Sequence, residues 1–220
     1  MMDVAVEFDR VCFTYEGAAS AALEGLSFVA RRGEALALTG PNGSGKSTAL
    51  RLIVGLDHPS SGRVLVDGQE VSARTMADRS FAKRLRQRVG LVFQDPETQL
   101  FCPSVTDEIA FGPRQMGLDD AEVARRVADC LALFDLEGLR DRAPWQLSGG
   151  EKRRLAIACV VSLSPEVLLL DEPTNDLDER GYARVISFLS SFVAAGRTVV
   201  VSTHDRRLVD DLGARELALG

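Results

Sequence analysis

The sequence predicts an α/β protein with a mainly parallel sheet, antiparallel strands at its start and a helical insert. Residues 4–8 and 11–15 each alternate apolar and polar side chains, which is typical of half-buried strands. Farther along, helix and strand patterns alternate, and residues 167–170 form the uninterrupted apolar run expected of a central parallel strand. We therefore expect one domain over residues 1–220, with a core at about 1–94 and 164–220 and a helical subdomain at about 95–163.

The period of the apolar residues predicts the remaining elements in chain order. A helix after Lys46 places Leu50, Ile53 and Val54 on one face, and Gly55 ends it. Asp67-Gly68 follows a short strand and predicts a tight hairpin turn. We expect further helices at residues 119–134, 148–163, 182–193 and 208–212, and strands at 35–39, 64–66, 89–93 and 198–202.

Composition and charge exclude several classes of protein. The net charge is −6 from 26 basic and 32 acidic residues, and no run of five basic residues occurs, so we expect no nucleic-acid partner. The four cysteines include no C-x-x-C pair, which argues against a zinc site or disulfide framework and fits a reducing cytosol. No apolar stretch approaches the roughly 20 residues that span a bilayer. Any work at a membrane therefore requires a partner that holds the protein there.

A phosphate-binding motif lies between a predicted strand and a predicted helix. Residues 40–47 match G-x-x-x-x-G-K-[ST]. Its glycines let successive backbone N–H groups point at phosphate oxygens, and the helix that follows adds its positive end. Lys46 is suited to the β- and γ-phosphates and Ser47 to Mg²⁺. We expect ATP to contact Gly40, Pro41, Asn42, Gly43, Ser44, Gly45, Lys46, Ser47 and Thr48.

Two acids follow the buried strand at residues 167–170. Asp171 and Glu172 come at its carboxyl end, the edge where open α/β sheets bind ligands. Asp171 is placed to hold Mg²⁺, and Glu172 to orient or deprotonate the attacking water. Alone, the two acids would be interpreted as the surface end of a strand. Beside a phosphate loop, they predict hydrolysis of the nucleotide.

A second anion-binding motif begins the helix predicted at residues 148–163. Ser148, Gly149 and Gly150 place a serine and two glycines at a helix start, where backbone N–H groups face outward. One chain does not need two triphosphate sites. We therefore expect this second nest to serve the nucleotide of a neighbouring subunit.

Over essentially its whole length the chain resembles the ATP-binding-cassette (ABC) ATPases, and residues 147–150, Leu-Ser-Gly-Gly, carry the resemblance. It implies a P-loop NTPase fold of ABC ATPase type and two head-to-tail chains that bury two ATPs. Glu151 departs from the commoner Gln, although many members carry Glu. The resemblance also assigns four single residues: Tyr15 stacks on adenine, Gln94 contacts Mg²⁺ and senses the partner, Asp178 lies in the loop that contacts the other subunit, and His204 contacts the γ-phosphate.

These four residues are weak indicators one at a time. Tyr15 would usually be a core residue, Gln94 an ordinary loop residue, and His204 the cap of the next helix. Their joint order and spacing favour the ABC assignment. Together with the motifs above, the resemblance implies Glu172, His204 and Gln94 as catalytic, with Ser47, Gln94 and Asp171 as magnesium ligands.

A narrower resemblance follows Gln94. Residues 95–101 and 105–113 look like the ATPases of energy-coupling-factor (ECF) importers of vitamins and metal ions, and so does the signature helix at residues 147–158. It implies a second ATPase subunit, identical or a close paralogue, a transmembrane coupling protein and a membrane substrate-binding protein. Work at the cytoplasmic face of the membrane is implied with them. Gln99, Leu100 and Phe101 are expected to line the groove for a helix of the coupling protein, and the alternative for Leu100 and Phe101 is a place in the core.

Three other classes remain as alternatives. A conventional ABC importer with a soluble binding protein is the main one. A translation-associated ABC protein usually carries two cassettes and a basic linker, whereas one cassette is found here, although residues 174–178 resemble that class. A chromosome-maintenance ATPase would insert a long coiled coil between Gln94 and Ser148, and the intervening stretch is too short for one.

Overall fold

The computed structural model describes residues 3–220, which form two β-sheets and eight α-helices. The strands are β1 (Val4–Phe13), β2 (Leu23–Arg31), β3 (Ala35–Thr39), β4 (Ser61–Val66), β5 (Gln69–Glu70), β6 (Val89–Val92), β7 (Val167–Asp171), β8 (Thr198–Ser202) and β9 (Arg215–Ala218). The helices are α1 (Lys46–Ile53), α2 (Ala73–Met76), α3 (Arg79–Arg88), α4 (Val105–Met116), α5 (Asp120–Leu133), α6 (Gly149–Val161), α7 (Glu179–Ala194) and α8 (Arg206–Leu212). Short 3₁₀ turns occur at Pro96–Thr98, Glu137–Leu139 and Pro144–Gln146.

The antiparallel sheet has the order β2-β1-β4-β5 and corrects the prediction of two separate N-terminal strands. The two alternating patterns belong to the single strand β1, whose pairing with β2 shifts register between Phe8 and Val11. Arg10 at this irregularity has φ 49°, so the chain bends without leaving the sheet. Because the bulge shifts the alternation by one residue, the sequence pattern looked like two strands. Tyr15 lies beyond the end of β1.

The parallel sheet has the order β6-β7-β8-β3-β9 and carries the chemically important loops. The central strands β3, β7 and β8 are buried along their whole length, as the apolar runs predict. All neighbouring pairs run parallel, so their carboxyl ends meet at one edge. That edge gathers the loops after Thr39, Val92, Asp171 and Ser202.

Helices α4, α5 and α6 form the insert and share a core with one face of the parallel sheet. Each begins with a side-chain cap, and the α6 cap is reciprocal: the Ser148 hydroxyl accepts from Glu151 N–H, and the Glu151 carboxylate accepts from Ser148 N–H. A hairpin turn at Asp67-Gly68 joins β4 to β5, as predicted, with both residues at positive φ. None of the helices within residues 3–220 is both long and apolar enough to cross a bilayer.

Candidate functional site

A pocket of about 470 Å³ opens at the carboxyl edge of the parallel sheet, beside the start of α1. It is bordered by the loop after β3, the end of β7 and the segment after β6, three parts of the chain that are distant in sequence. From the predicted site the structure brings together Tyr15, Asn42, Gly43, Gly45, Lys46, Ser47, Thr48, Gln94, Asp171 and Glu172.

The phosphate loop, residues 40–48, owes its shape to glycine. Gly40, Gly43 and Gly45 have φ values of 137°, 84° and 90°. A Cβ on Gly40 would lie 2.2 Å from the Leu219 carbonyl oxygen, so the residue that follows β9 also requires glycine there. Lys46 follows directly and is only 6% exposed, with Nζ donating to the carbonyl oxygens of Gly40 (2.8 Å) and Pro41 (2.9 Å). The lysine is therefore already folded over the loop that it serves.

Two features of this loop suit an anionic ligand. The Ser44 hydroxyl is buried and has no hydrogen-bond partner among residues 3–220, and such groups are rare unless a ligand or water satisfies them. The α1 helix that begins at Lys46 points the positive end of its dipole at the loop. Phosphate oxygens supply both an acceptor for hydroxyl groups and a negative charge for the helix end.

Glu172 is a buried carboxylate held from three sides. Its backbone N–H donates to the Ser202 carbonyl (2.9 Å), the Thr203 hydroxyl donates to Oε2 (3.4 Å), and His204 Nδ1 lies 2.9 Å from Oε1. Its φ is 47°, a conformation that costs a non-glycine residue on the order of 1–3 kcal/mol and that clusters at functional sites. The carboxylate is 6% exposed, so a water at the pocket mouth would meet a base with a fixed orientation.

Asp171 and Ser47 are the oxygen donors that suit Mg²⁺. Asp171 ends β7, and its Oδ1 accepts from the Ser202 hydroxyl at 2.8 Å, which leaves Oδ2 for another partner. Within the described chain no group of three His, Cys, Asp or Glu side chains is arranged to hold a metal ion. A site built from one carboxylate and one hydroxyl fits Mg²⁺, which keeps several waters and is bound largely through substrate phosphates. Gln94 borders the same pocket with an amide oxygen.

Tyr15 stands at the mouth of the pocket, 42% exposed. Its ring packs edge-on against Phe13, with the centroids 4.8 Å apart, and its Oη lies 2.9 Å from Thr48 Oγ1. At this exposure the ring is not part of the core, which contradicts the alternative that Tyr15 is a core residue. A flat, anchored aromatic ring at this position can receive a purine.

The signature nest, residues 148–150, lies outside this pocket. Its Ser148 N–H and hydroxyl both donate to Glu151 Oε2, at 2.7 and 2.8 Å, so the nest already holds a carboxylate. The hydrogen bond from the Ser148 backbone lowers the pKa of Glu151 below its usual range. A Cβ on Gly150 would lie 2.8 Å from the Asp176 carbonyl oxygen, so the loop before α7 requires glycine there.

Asp178 and His204 also differ from the pocket-lining residues. The Asp178 carboxylate caps α7 by accepting from Gly181 N–H at 2.8 Å, and it does not line the pocket. His204 reaches the pocket only through Glu172, and its side chain is 65% exposed. The alternative that His204 caps α8 is wrong, since Asp205 is the cap.

The P-loop pocket after β3, the acids at the end of β7 and the separate Leu-Ser-Gly-Gly nest agree with the family comparison, in which the ABC transporter model matches residues 23–175. The chain belongs to the ABC transporter family. It is therefore an ATP-binding protein and an ATPase, and the predicted P-loop fold of ABC type is confirmed.

Individual relatives of this ABC ATPase are similar over most of its length. The nickel import ATP-binding protein LarO of Lactiplantibacillus plantarum is 45% identical over 210 residues, which cover 96% of this chain and 86% of LarO. The energy-coupling factor transporter ATP-binding protein EcfA1 of Methanospirillum hungatei is 43% identical over 208 residues, covering 94% of this chain and 73% of EcfA1.

Two solved structures show the same fold. The first is cbiO1 from Clostridium perfringens, described as part of the ABC transporter complex cbiONQ. It matches with a TM-score of 0.84 and 35% identity, covering 99% of this chain and 85% of cbiO1. The second is the ATP-binding cassette MJ0796, a dimer in a post-hydrolysis state bound to ADP and Pi. Its TM-score is 0.87 at 30% identity, and the match covers 97% of this chain and 94% of that one.

Sequence reasoning missed several residues that shape the site. Glu108 on α4 is 4% exposed, and its Oε2 accepts from the backbone N–H groups of Phe101 (2.8 Å) and Cys102 (2.6 Å). An acid in the first turn of a helix is usually exposed to solvent, so nothing in the sequence indicates that Glu108 is buried. Arg153 on α6 was missed for the same reason, because basic residues are expected at the surface.

Proposed function

We propose that this ATPase powers an ECF-type importer of a vitamin or transition-metal ion at the cytoplasmic face of a membrane. In this proposal it works as one half of a dimer, with an identical chain or a close paralogue as the other half. The names of LarO, EcfA1 and cbiO1 support importers of this kind. A transmembrane coupling protein and a membrane substrate-binding protein complete the complex, and the substrate is chosen by those partners.

The observation that carries the dimer is the separation of the signature nest from the phosphate pocket. Tyr15, Lys46 and Glu172 are grouped around one pocket, whereas Ser148 is exposed outside it. A serine and two glycines at an exposed helix start suit an anion, and the chain's own phosphate pocket lies elsewhere, so we propose an ATP held by another chain as that anion. The structure of MJ0796, a dimer bound to ADP and Pi, supports a two-chain assembly.

Within this proposal each side chain has a task. Lys46 and the phosphate loop hold the β- and γ-phosphates, and Tyr15 receives the adenine. Glu172 takes the proton of the attacking water, while His204 keeps the carboxylate oriented and faces the γ-phosphate. Ser47, Asp171 and Gln94 would hold Mg²⁺, which neutralises charge on the phosphates when bound. Ser148, Gly149, Gly150 and Asp178 act on the partner's nucleotide.

The proposed docking surface for the coupling protein lies after Gln94. Phe101 is 65% exposed and packs edge-on against Phe111, itself 42% exposed, with ring centroids 5.0 Å apart. The other two predicted groove residues are turned inward: Gln99 Oε1 accepts from Phe93 N–H at 3.0 Å, and Leu100 packs in part against the core. We therefore propose Phe101 and Phe111, on a helical subdomain of residues 95–163, as the apolar contact.

The function is tested with Glu172→Gln, which keeps the shape of the side chain and removes the base. Mg-ATP is expected to bind and stay uncleaved, because proton transfer is lost and binding is retained. Size-exclusion chromatography of this variant with Mg-ATP is expected to show a dimer, and with ADP a monomer. A matched Lys46→Ala variant is expected to lose both binding and hydrolysis.

Two results would contradict the proposal. Undiminished ATP hydrolysis by Lys46→Ala would show that this pocket is not the site of hydrolysis. A Glu172→Gln variant that binds Mg-ATP and stays monomeric at saturating Mg-ATP, alone and in a mixture with its partner ATPase subunit, would contradict the two-chain site.

A further inference from the structure

Arg153 is a buried cation on the helix that carries the signature nest. It lies on the second turn of α6 and is 2% exposed, among the largest fully buried side chains of the described chain. Its Nε is buried and has no hydrogen-bond partner among residues 3–220. A buried guanidinium with an unused donor is costly, so its retention calls for a role.

The side chain joins α6 to the sensor segment, which we define as residues 93–98. Arg153 Nη1 donates to the Phe93 carbonyl oxygen at 3.0 Å, and Phe93 immediately precedes Gln94. The neighbouring Lys152 reaches the same segment from the surface through an ion pair with Glu97. Two consecutive basic residues of α6 therefore attach the signature helix to the part of the chain that borders the phosphate pocket.

The negative charges of carboxylates on three segments act on this cation. Burial lowers the pKa of Arg153, while the negative charges of Asp176, Asp95, Asp171 and Glu172 act in the opposite direction. Asp176 is also the residue that packs against Gly149 and Gly150 of the nest. The guanidinium thus lies where the sensor segment, the acids after β7 and the loop before α7 approach α6.

We propose that Arg153 is a positioning residue that holds the signature nest in register with the sensor segment of its own chain, so that the nest reaches the ATP of the partner chain. This inference rests on the proposed two-chain site. The rigid element is α6, with Ser148 at its first turn and Arg153 one turn later. A shift of the Phe93 carbonyl on ATP binding moves the anchor of α6, and the nest moves with it.

The first measurement compares Arg153→Gln, Arg153→Lys and a matched control, Arg126→Gln. Arg126 on α5 also donates to a backbone carbonyl, that of Ser162 at 2.8 Å, at the end of α6 opposite to the nest. Mg-ATP binding to all three variants is expected to stay near normal. For Arg153→Gln, kcat is expected to fall about 10- to 100-fold, since a misplacement of about 1 Å costs up to about 100-fold. Arg153→Lys is expected to keep part of the rate.

The second measurement separates action on the partner's site from action on the chain's own site. Lys46→Ala lacks a working phosphate loop and has an intact nest, whereas Arg153→Gln has an intact phosphate loop. In a mixed dimer one site combines the two intact halves, so the mixture is expected to hydrolyse ATP faster than either protein alone. A mixture of Lys46→Ala with Ser148→Arg, in which the nest itself is blocked, is the reference.

Each outcome bears on the inference. Recovery in both mixtures supports it. Recovery with Ser148→Arg and not with Arg153→Gln overturns it and leaves the proposed function intact, because Arg153 would then act within its own pocket or on folding alone. Recovery in neither overturns the two-chain site and this inference with it. The inference is also overturned if Arg126→Gln and Arg153→Gln lose the same share of kcat and if that loss follows their fall in melting temperature. If Arg153→Gln does not fold, Arg153→Lys takes its place in the mixtures.

Discussion

At the scale of single residues, the phosphate pocket concentrates unusual conformations and buried charge. Glu172 has positive φ and is buried with its carboxylate against His204. Lys46 is buried and bonded to carbonyl groups of its own loop, which ATP phosphates would have to replace. The folded protein already holds the strained backbone of Glu172 and the buried side chain of Lys46 in place. The free energy of ATP binding therefore does not have to order these two residues.

Tyr15 allows the stacking and the anchoring roles of one side chain to be tested separately. Tyr15→Ala removes the ring, and base stacking of about 1–3 kcal/mol predicts that the KM for ATP rises about tenfold or more with a smaller change in kcat. Tyr15→Phe keeps the ring, loses the contact with Thr48 Oγ1 and is expected to leave KM nearly normal. Steady-state kinetics with ATP and GTP measures both, with GTP accepted at a reduced rate. A kcat defect at unchanged KM would make Tyr15 a packing residue.

At the scale of secondary-structure elements, α4 and α6 carry their functional residues in their first two turns. α6 begins at the nest and directs Lys152 and Arg153 to the sensor segment. On α4, Glu108 fixes the backbone that presents Phe101, and Phe111 lies one turn later against the same ring. Helix α6 therefore connects the nest with a segment that is distant in the sequence, whereas α4 aligns two aromatic rings within one stretch of the chain.

The aromatic pair on this surface is expected to matter for coupling and little for folding. Phe101→Ser with Phe111→Ser removes two exposed anchors, which at an interface is worth on the order of 2–4 kcal/mol. Melting temperature and ATP hydrolysis are expected to stay near normal, while co-purification with a membrane complex and substrate uptake are lost. Leu133→Ser, an exposed leucine on α5, is the matched control and is expected to retain uptake.

Leu100→Ser provides the contrast within the same segment. Because Leu100 packs in part against the core, its loss is expected to lower the melting temperature by leaving a cavity. If the Phe101 and Phe111 substitutions lower stability and hydrolysis together, or leave uptake unchanged, the docking surface is wrong.

At the scale of the whole molecule, an ion cluster joins the two sheets. Arg32 pairs with Asp67, beside the β4–β5 turn, and with Glu166, just before β7, and Arg88 pairs with the same two acids. Several partly buried charges in a network hold better than isolated surface pairs. The sheet that carries Tyr15 is thereby tied to the sheet that carries Asp171 and Glu172, on the side away from the pocket.

Trp145 reports on the approach of two chains. It is the single tryptophan of the sequence, it is 70% exposed, and it lies three residues before Ser148 on the 3₁₀ turn at Pro144–Gln146. Closure of the nest on a partner's ATP is expected to shield the indole, so its emission shifts to shorter wavelength and acrylamide quenches it less. The measurement uses Glu172→Gln with and without Mg-ATP.

Two controls bound this experiment. Lys46→Ala with Mg-ATP is expected to show no change in emission, and Glu172→Gln with Trp145→Phe is expected to dimerise without the signal. Unchanged emission in a sample that chromatography shows to be dimeric would mean that the chains meet through another surface.

The sequence by itself determined the nucleotide site and the order of the elements that form it. Gly40, Gly43, Gly45 and Lys46 are recognisable because a phosphate loop depends on local backbone conformation, and local conformation is encoded locally. Asp171 and Glu172 could be placed because an unbroken apolar run specifies a central strand and its carboxyl end specifies an edge. The hairpin at Asp67-Gly68 was predicted correctly because a tight turn, like the phosphate loop, depends on local backbone conformation.

Only the tertiary structure decided what depends on packing between distant segments. The bulge at Arg10 made one strand look like two. Of the neighbours Leu100 and Phe101, the first packs against the core and the second is exposed to solvent. The pairing of Glu172 with His204 and the burial of Arg153 against the Phe93 carbonyl join segments far apart in the chain. A linear pattern records the period of an element, whereas burial and pairing depend on which face another element covers, and that is settled only when the chain folds.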